Sequence, residues 1–233
     1  MHAHAIGDRA VRTALSAYEA VAHPGHRSRR HTITHLQLVH PDDYRRFARA
    51  QVVASMQLQW ALPSSFTNDA LKPYIGPERY ARLYPARSLA KAGAMLAGGS
   101  DWPVDPLLPF TQIATAIDRS NPEENQPPLN AREGLTRTQS LAMHTAGAAH
   151  QLHDGNSGTV RPGKRADLIV LDRDITKVPV KDIRATKVRY TLISGRVVHD
   201  ADSRTGRTRA EAAQHIGAQG AGRTSGGSCC QGH

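Results

Sequence analysis

Two histidines and one aspartate stand where they could share a metal ion. His4 ends the first strand-like segment of the chain, His35 lies within the second, and Asp101 comes just after the fourth. Two imidazoles and a carboxylate are ligands that a borderline metal such as Zn²⁺ prefers. Such a metal acidifies a water molecule toward neutral pH, and a nearby carboxylate can accept the proton. These residue types therefore predict a metal site, provided that the fold brings them together.

The segments that carry these residues must then be neighbouring strands. Strand-like patterns occur near the start of the chain and at residues 32–39, 52–57 and 94–97. Helix-like patterns separate them, at residues 8–22, 41–50 and 77–92. This alternation is typical of a parallel sheet or a β/α barrel, in which the carboxyl ends of the strands share one face and carry the active site.

The pattern changes after residue 153. A capping box at Thr136 and Gln139 predicts a helix over residues 136–152. Short strands separated by glycine turns are then expected, at residues 158–160, 167–171, 188–193 and 196–199. Glycine, serine, arginine and alanine dominate the remainder, so residues 203–233 are expected to be disordered.

The composition excludes several classes of protein. The chain has 233 residues, and no apolar run is long enough for a transmembrane helix. Its start lacks the pattern of a secretory signal, and its two cysteines, Cys229 and Cys230, cannot build a disulfide framework. We therefore expect a cytoplasmic protein without a membrane partner. The terminal Cys229, Cys230 and His233 form only a weak soft-metal pattern, and a flexible tail is favoured.

The charge raises the question of nucleic acid. Lys and Arg number 30 against 20 Asp and Glu, which gives a net charge of +10. A nucleic-acid-binding protein is therefore one alternative. The basic residues are spread along the chain, however, and no RNA-binding or helix-turn-helix signature accompanies them. We expect a small-molecule substrate and no nucleic acid.

Four sequence motifs resemble those of the amidohydrolase superfamily, in particular its YtcJ-like branch (amidohydrolase 3). They occur in the same order and at similar separations, as residues 4–10 (HAIGDRA), 33–37 (ITHLQ) with 53–57 (VASMQ), 99–104 (GSDWPV) and 158–168 (GTVRPGKRADL). The resemblance extends from residue 2 to about residue 200. This branch includes metal-dependent hydrolases of non-peptide carbon–nitrogen bonds, such as deformylases of N-substituted formamides.

The resemblance implies a (β/α)₈ TIM-like barrel with a small β-sandwich. Residues 1–153 would form the C-terminal half of the barrel, strands five to eight, and residues 154–202 part of the sandwich. His4 would end strand five, His35 would lie on strand six and Asp101 would follow strand eight. The two histidines would bind a divalent metal, with zinc the expected ion. Asp101 would bind metal or the attacking water and shuttle its proton, so that an amide, formamide or cyclic amide is hydrolysed.

The chain also departs from the superfamily pattern. The His-x-His of strand one and the bridging Lys or Glu of strand four are missing, so the chain resembles the C-terminal half of a longer enzyme. Its expected partners are then copies of itself or a missing N-terminal half. A catalytically inactive fragment is the alternative. His2 and His4 could themselves be the strand-one pair, but the residues after His4 match strand five instead.

Two further predictions concern polar residues. Gln37 and Gln57 lie near the strand ends, where they could touch substrate, although packing or hydrogen bonding to a metal ligand is favoured. The histidines of the late helix region are expected at the surface, at positions His144, His150 and His153.

Overall fold

Four parallel strands form the central sheet of the protein. The computed structural model describes residues 1–21 and 29–203. The strands lie side by side in sequence order, as β1 (His2–Ala5), β2 (Thr32–His35), β3 (Val53–Met56) and β4 (Met95–Gly98). All three pairings are parallel. The predicted α/β class with a parallel sheet is confirmed.

Helices connect the strands and cover the sheet. The α-helices of this part are α1 (Asp8–Ala20), α2 (Tyr44–Arg49), α3 (Lys72–Tyr80), α4 (Ala86–Lys91), α5 (Pro109–Asp118), α6 (Arg137–Ala142), α7 (Ala148–Gln151) and α8 (Val180–Ile183). Single 3₁₀ turns stand at Pro41–Asp43, Leu58–Trp60 and Ala131–Glu133, and π-helical turns at Phe66–Leu71 and Met143–Gly147.

The predicted single helix over residues 77–92 is wrong. The chain forms α3 and α4 there, with Tyr84 between them at a φ of 52°. Pro85 follows Tyr84 and disfavours the helical conformation at the preceding residue. The break matters for function, because it places Tyr84 in the wall of the cavity described below.

Strands β2 and β3 are almost entirely buried, as strands of parallel sheets commonly are, whereas β1 is partly exposed. Every residue of β3 is buried, and Ile33 of β2 has no exposed surface. Helix α1 packs its buried stripe of Val11, Leu15 and Tyr18 into the same core. This packing fixes the positions of the strand ends, where the polar residues stand.

The chain divides into two compact units. The first comprises Met1–Arg165 and Arg173–Thr186, and the second comprises Ala166–Asp172 and the chain from Lys187. The predicted domain boundary after residue 153 stays a prediction. Residues 204–233 lie outside the described residues, so the predicted disorder from 203 onward and the metal pattern at Cys229 and Cys230 are not addressed there.

The second unit contains an antiparallel sheet. Its strands β5 (Leu168–Leu171), β6 (Val188–Ile193) and β7 (Arg196–Asp200) lie in sequence order. Ser194 and Gly195 connect β6 to β7 with φ values of 50° and 79°, the left-handed backbone of a tight hairpin. The predicted hairpin is confirmed.

The strand predicted at residues 158–160 is wrong. In the first unit, Gly158 turns the chain with a φ of 83° close to the late helices. A Cβ atom there would come within 2.7 Å of the Cβ atom of Ala149, so the turn requires glycine. No helix in the described ranges is long and apolar enough to cross a membrane.

Candidate active site

His4 and His35 meet at the carboxyl ends of β1 and β2. Nδ1 of His4 lies 2.8 Å from Nε2 of His35, and their ring centroids are 4.8 Å apart. One nitrogen donates a hydrogen to the other, so one of the two must carry a lone pair. The structure thus brings together the two histidines that the sequence singled out.

A left-handed backbone makes this approach feasible. The register pairs His35 with Ala5 and His4 with Thr34, so regular strands would point the two imidazoles to opposite faces. His35 instead has a φ of 77°, and Leu36 follows with 52°. Such values are uncommon for residues other than glycine and tend to occur at functional sites. We infer that this turn swings His35 onto the face of His4.

Gln57 sets the hydrogen positions of His35. Its side-chain nitrogen donates to Oγ1 of Thr34 at 3.3 Å, which turns its oxygen toward Nδ1 of His35, 3.0 Å away. Nδ1 therefore carries a hydrogen, and the tautomer that this bond selects has its lone pair on Nε2. Hydrogen bonds of this kind orient metal-binding histidines. Between the two alternatives for Gln57, the structure supports bonding to a site histidine.

Asp101 follows β4 in a tight turn. Its φ is 61°, and the turn is anchored by buried Ser100, whose hydroxyl accepts from the Trp102 amide at 3.1 Å. Gln59 donates to the Ser100 carbonyl at 2.8 Å. Asparagine and aspartate tolerate left-handed backbone better than most residues. The turn thus holds a carboxylate at the same end of the sheet as His35.

One cavity of about 620 Å³ joins these strand ends. His35 and Asp101 both line it, together with the amides of Gln37 and Gln59. Its remaining walls are mostly apolar or aromatic and come from Ile6, Trp60, Leu62, Ser64, Phe66 and Tyr84. This size and character suit a small organic molecule with an apolar substituent.

A buried arginine supports one wall of this cavity. Arg119 has no exposed surface, and its guanidinium donates to the carbonyls of Leu83, Tyr84 and Leu129 at 2.9–3.1 Å. Burial lowers its pKa to about 10 and raises the pKa of the Tyr84 hydroxyl, so the arginine stays charged and the tyrosine neutral at pH 7. Sequence analysis missed both residues, because nothing near them in the sequence indicates these contacts.

His144 lies against the end of β4 instead of at the predicted surface. A Cβ atom on Gly98 would come within 2.6 Å of its ring, so the imidazole packs where that glycine leaves room. Burial lowers the pKa of His144 to about 4. The prediction that His144 lies at the surface is therefore wrong, because its ring packs against Gly98, which is 46 positions away in the sequence.

The imidazole of His2 lies beside that of His4, with ring centroids 5.8 Å apart. Partial burial and the nearby His4 and His35 lower the pKa of His2. The lowered pKa favours the neutral form of this imidazole beside the histidine pair.

The chemistry of the histidine pair fits a divalent metal in part. Nδ1 of His4 and Nε2 of His35 face one another, and imidazole nitrogens suit zinc. Protein zinc sites commonly use three or four ligands. Within residues 1–21 and 29–203, no group of three or more His, Cys, Asp or Glu side chains is arranged to hold a metal. The described residues thus supply two ring nitrogens that could ligate a metal, and Asp101 lines the cavity that His35 also lines.

Comparison with known proteins identifies the family of the chain. The model of a family described as "Amidohydrolase family" matches residues 1–199. The chain belongs to the amidohydrolase family. All four motifs found in the sequence lie within the matched residues, including His4, His35 and Asp101.

Three relatives of this amidohydrolase chain illustrate the match. It is 34% identical over 199 residues to "Protein LONG AFTER FAR-RED 3" of Arabidopsis thaliana, covering 84% of this chain and 33% of the relative. It is 29% identical to "Putative amidohydrolase YtcJ" of Bacillus subtilis, covering 84% and 37%. It is 28% identical to "N-substituted formamide deformylase" of Arthrobacter pascens, covering 82% and 35%. The amidohydrolase chain thus spans about a third of the length of these relatives.

The fold of the chain is also similar to solved structures of metal-dependent hydrolases. Uncharacterized metal-dependent hydrolases from Pyrococcus furiosus and Pyrococcus horikoshii OT3 superpose with TM-scores of 0.62 and 0.66, at 28% and 27% identity. The superpositions cover 76% and 77% of the amidohydrolase chain, and 34% and 35% of the other chains.

Proposed function

We propose that this chain provides part of the active site of a metal-dependent hydrolase of non-peptide carbon–nitrogen bonds. The observation that carries the proposal is the pairing of His4 with His35 beside a cavity that Asp101 also lines. Membership of the amidohydrolase family and the likeness to metal-dependent hydrolases support it. The substrate would be a small amide, formamide or cyclic amide.

We further propose that the sheet β1–β4 is the C-terminal half of a (β/α)₈ barrel, as its strands five to eight. Four parallel strands in sequence order with helical connections support this proposal. The coverage of only about a third of the related chains supports it too. The antiparallel strands β5–β7 would belong to an accompanying β-sandwich.

His4 and His35 would hold the metal once the hydrogen shared between Nδ1 of His4 and Nε2 of His35 is displaced, because each nitrogen must offer a lone pair to the ion. When bound, a divalent metal would acidify a water molecule and polarise the substrate carbonyl. Gln57 would keep Nε2 of His35 free of hydrogen, so that its lone pair is available. The aromatic and aliphatic walls of the cavity would bind the substituent on nitrogen and exclude bulk water.

Asp101 would carry the proton through the reaction. Its carboxylate would accept a proton from the attacking water as the new carbon–oxygen bond forms. It would then donate that proton to the nitrogen as the carbon–nitrogen bond breaks, because an amide anion is too basic to leave unprotonated. The products would be a carboxylic acid and an amine, or formate and an amine from a formamide.

The test is hydrolysis of an N-substituted formamide with an aromatic substituent. The purified chain is stripped with a chelator, and half is reloaded with one equivalent of Zn²⁺. Formate and amine are then measured in equal amounts over time. Release by the zinc-loaded sample alone supports the proposal, and absence of hydrolysis with formamides, simple amides and cyclic amides contradicts it for this chain.

A catalytically inactive fragment is the second candidate. It is favoured by the absence of a three-residue metal group among the residues that the structure describes. Zinc bound near one equivalent per chain, without turnover of any of the three substrate types, would support this candidate. Equal turnover before and after zinc removal would contradict both candidates.

A further inference from the structure

A second concave surface lies among the helices of the first unit. Two adjoining hollows of about 330 and 590 Å³ share the residues Pro41, Tyr44, Ser88 and Lys91. They share no lining residue with the cavity of His35 and Asp101. We call this surface the basic groove, after its five cationic side chains Arg45, Arg82, Arg87, Lys91 and Arg132.

The fold brings these cations together from separate segments. Arg45 belongs to α2, whereas Arg87 and Lys91 belong to α4. Arg82 follows α3, and Arg132 lies in the 3₁₀ turn Ala131–Glu133. A run of charges on one helix is commonly just a solvated face. Convergence of several segments on a hollow instead creates a surface where one ligand can touch many cations.

Most of these cations lack an internal counter-ion. Arg45, Arg87 and Lys91 form no ion pair within the part of the chain that the structure describes. Arg132 donates to the carbonyl of Ala81 at 2.9 Å and leaves its charge unpaired in the same ranges. Only Arg82 is paired, at 2.7 Å from an exposed glutamate. The charges therefore remain available to an external anion.

The acidic residues of the groove do not cancel this charge. Glu133 is buried, and its carboxylate accepts two hydrogen bonds from Ser88, one from the backbone amide at 2.9 Å and one from the hydroxyl at 2.6 Å. Asp42 is exposed and lies 3.4 Å from His40. The lining thus carries five positive and two negative groups, and the Glu133 carboxylate is already hydrogen-bonded to Ser88.

Tyr44 contributes an uncharged donor to the groove. Burial, reinforced by the nearby Glu133 carboxylate, raises its pKa to about 12. The hydroxyl therefore keeps its hydrogen at pH 7 and adds a neutral hydrogen-bond donor beside the cations.

We propose that the basic groove binds a small multivalent anion that carries phosphate groups. Arginine forks match phosphate oxygens in pairs, and three arginines converge on the smaller hollow with Lys91 and Tyr44. The hollows have the volume of small-molecule sites, which favours a compact ligand over an extended polymer. This site is independent of the proposed hydrolase function.

The test is calorimetric titration of the whole chain with inorganic pyrophosphate at 0.15 M salt. The variant Arg87→Ala/Lys91→Ala removes two cations of the groove. The control Arg161→Ala/Lys181→Ala removes two exposed cations outside it, so that net charge changes equally. Thermal unfolding of all three proteins checks that they are folded.

We expect saturable binding, weakened about tenfold or more in the groove variant and unchanged in the control, since charge-assisted hydrogen bonds are lost. Equal weakening in both variants would show that only net charge attracts the anion and would overturn the proposal. Absence of pyrophosphate binding would overturn it as well. So would tight, salt-sensitive binding of a DNA duplex that the groove variant weakens, the control leaves unchanged and pyrophosphate does not displace, because the groove would then serve nucleic acid.

Discussion

Nδ1 of His4 lies 2.8 Å from Nε2 of His35, although the strand register sets His35 opposite Ala5. The left-handed backbone at His35 explains the discrepancy, because it ends the regular alternation of side chains at that residue. The histidine pair thus depends on the strand end as well as on strand order. A chain that kept both histidines but extended β2 by one regular residue would separate them.

The first prediction is that both histidines are needed for metal binding. His4→Ala and His35→Asn should each lose most bound zinc while remaining folded. Asparagine is chosen at His35 because it tolerates left-handed backbone. Zinc per chain is measured by atomic absorption after dialysis, with His153→Asn as the matched control at another left-handed histidine. Wild-type zinc content in both site variants would refute the assignment.

The second prediction concerns Gln57. Replacing it with leucine removes the acceptor that holds the hydrogen on Nδ1 of His35. Zinc affinity should fall about 10- to 100-fold, the usual effect of losing such a supporting bond. Competition with a chromophoric chelator measures the affinity. Gln57→Glu retains an acceptor and should bind far better than the leucine variant, and equal affinities of these two variants would argue against the supporting role.

The third prediction separates catalysis from folding at Asp101. The substitution Asp101→Asn preserves the size of the side chain, and asparagine also tolerates a φ of 61°. Its amide cannot accept the proton of the attacking water. If the proposed hydrolysis occurs, kcat of the zinc-loaded protein should fall by about 10² or more, with zinc content and melting temperature nearly unchanged. If the residue serves only the turn, kcat per folded molecule stays normal. Measuring all three quantities on this one variant decides the matter.

The fourth prediction is a pH effect through His144. Its pKa is about 4 in the folded protein, below the ordinary value of 6.5. Between these pH values the unfolded chain binds a proton that the folded chain does not, so the free energy of unfolding falls as pH falls from 6.5 to 4. The loss should be on the order of 3 kcal/mol.

Urea unfolding at pH 7 and at pH 4.5 measures this effect, with His144→Gln as the comparison. The variant removes the titrating group, so its stability should depend less on pH than that of the wild type. Identical pH dependence in the two proteins would show that His144 is accessible enough to protonate without unfolding.

The fifth prediction concerns the edges of the parallel sheet. Within residues 1–21 and 29–203, β1 pairs only with β2, and β4 pairs only with β3. Unpaired strand edges invite pairing with further chains. We expect the isolated chain to self-associate, as light scattering after gel filtration would show.

Met95→Lys on the exposed part of β4 should shift this chain toward smaller species, because an edge lysine opposes strand pairing. Val160→Lys, at an exposed position outside the sheets, serves as the control. A monodisperse wild-type monomer with a cooperative melting transition would contradict the prediction.

The sequence predicted the elements better than the contacts between them. Apolar strands and helical spacing are local signals, so the parallel order and the position of His4 at the end of the first strand could be anticipated. The second strand was expected to extend to residue 39, whereas β2 ends at His35. The left-handed backbone at His35 could not be predicted, because such a conformation is uncommon at any single histidine and no glycine in the adjoining residues marks a turn. The roles of Tyr84 and His144 also escaped prediction, since each depends on partners far away in the sequence.

Arg119 connects the wall of the cavity that His35 and Asp101 line to a loop outside that cavity. The same guanidinium bonds to the carbonyl of Tyr84, whose side chain lines the cavity, and to the carbonyl of Leu129, at the end of a proline-containing loop. A shift in that loop would therefore be transmitted to the aromatic wall through one rigid, planar group. Substitutions at residues 121–128, which do not line the cavity, would then alter its shape and with it the choice of substrate.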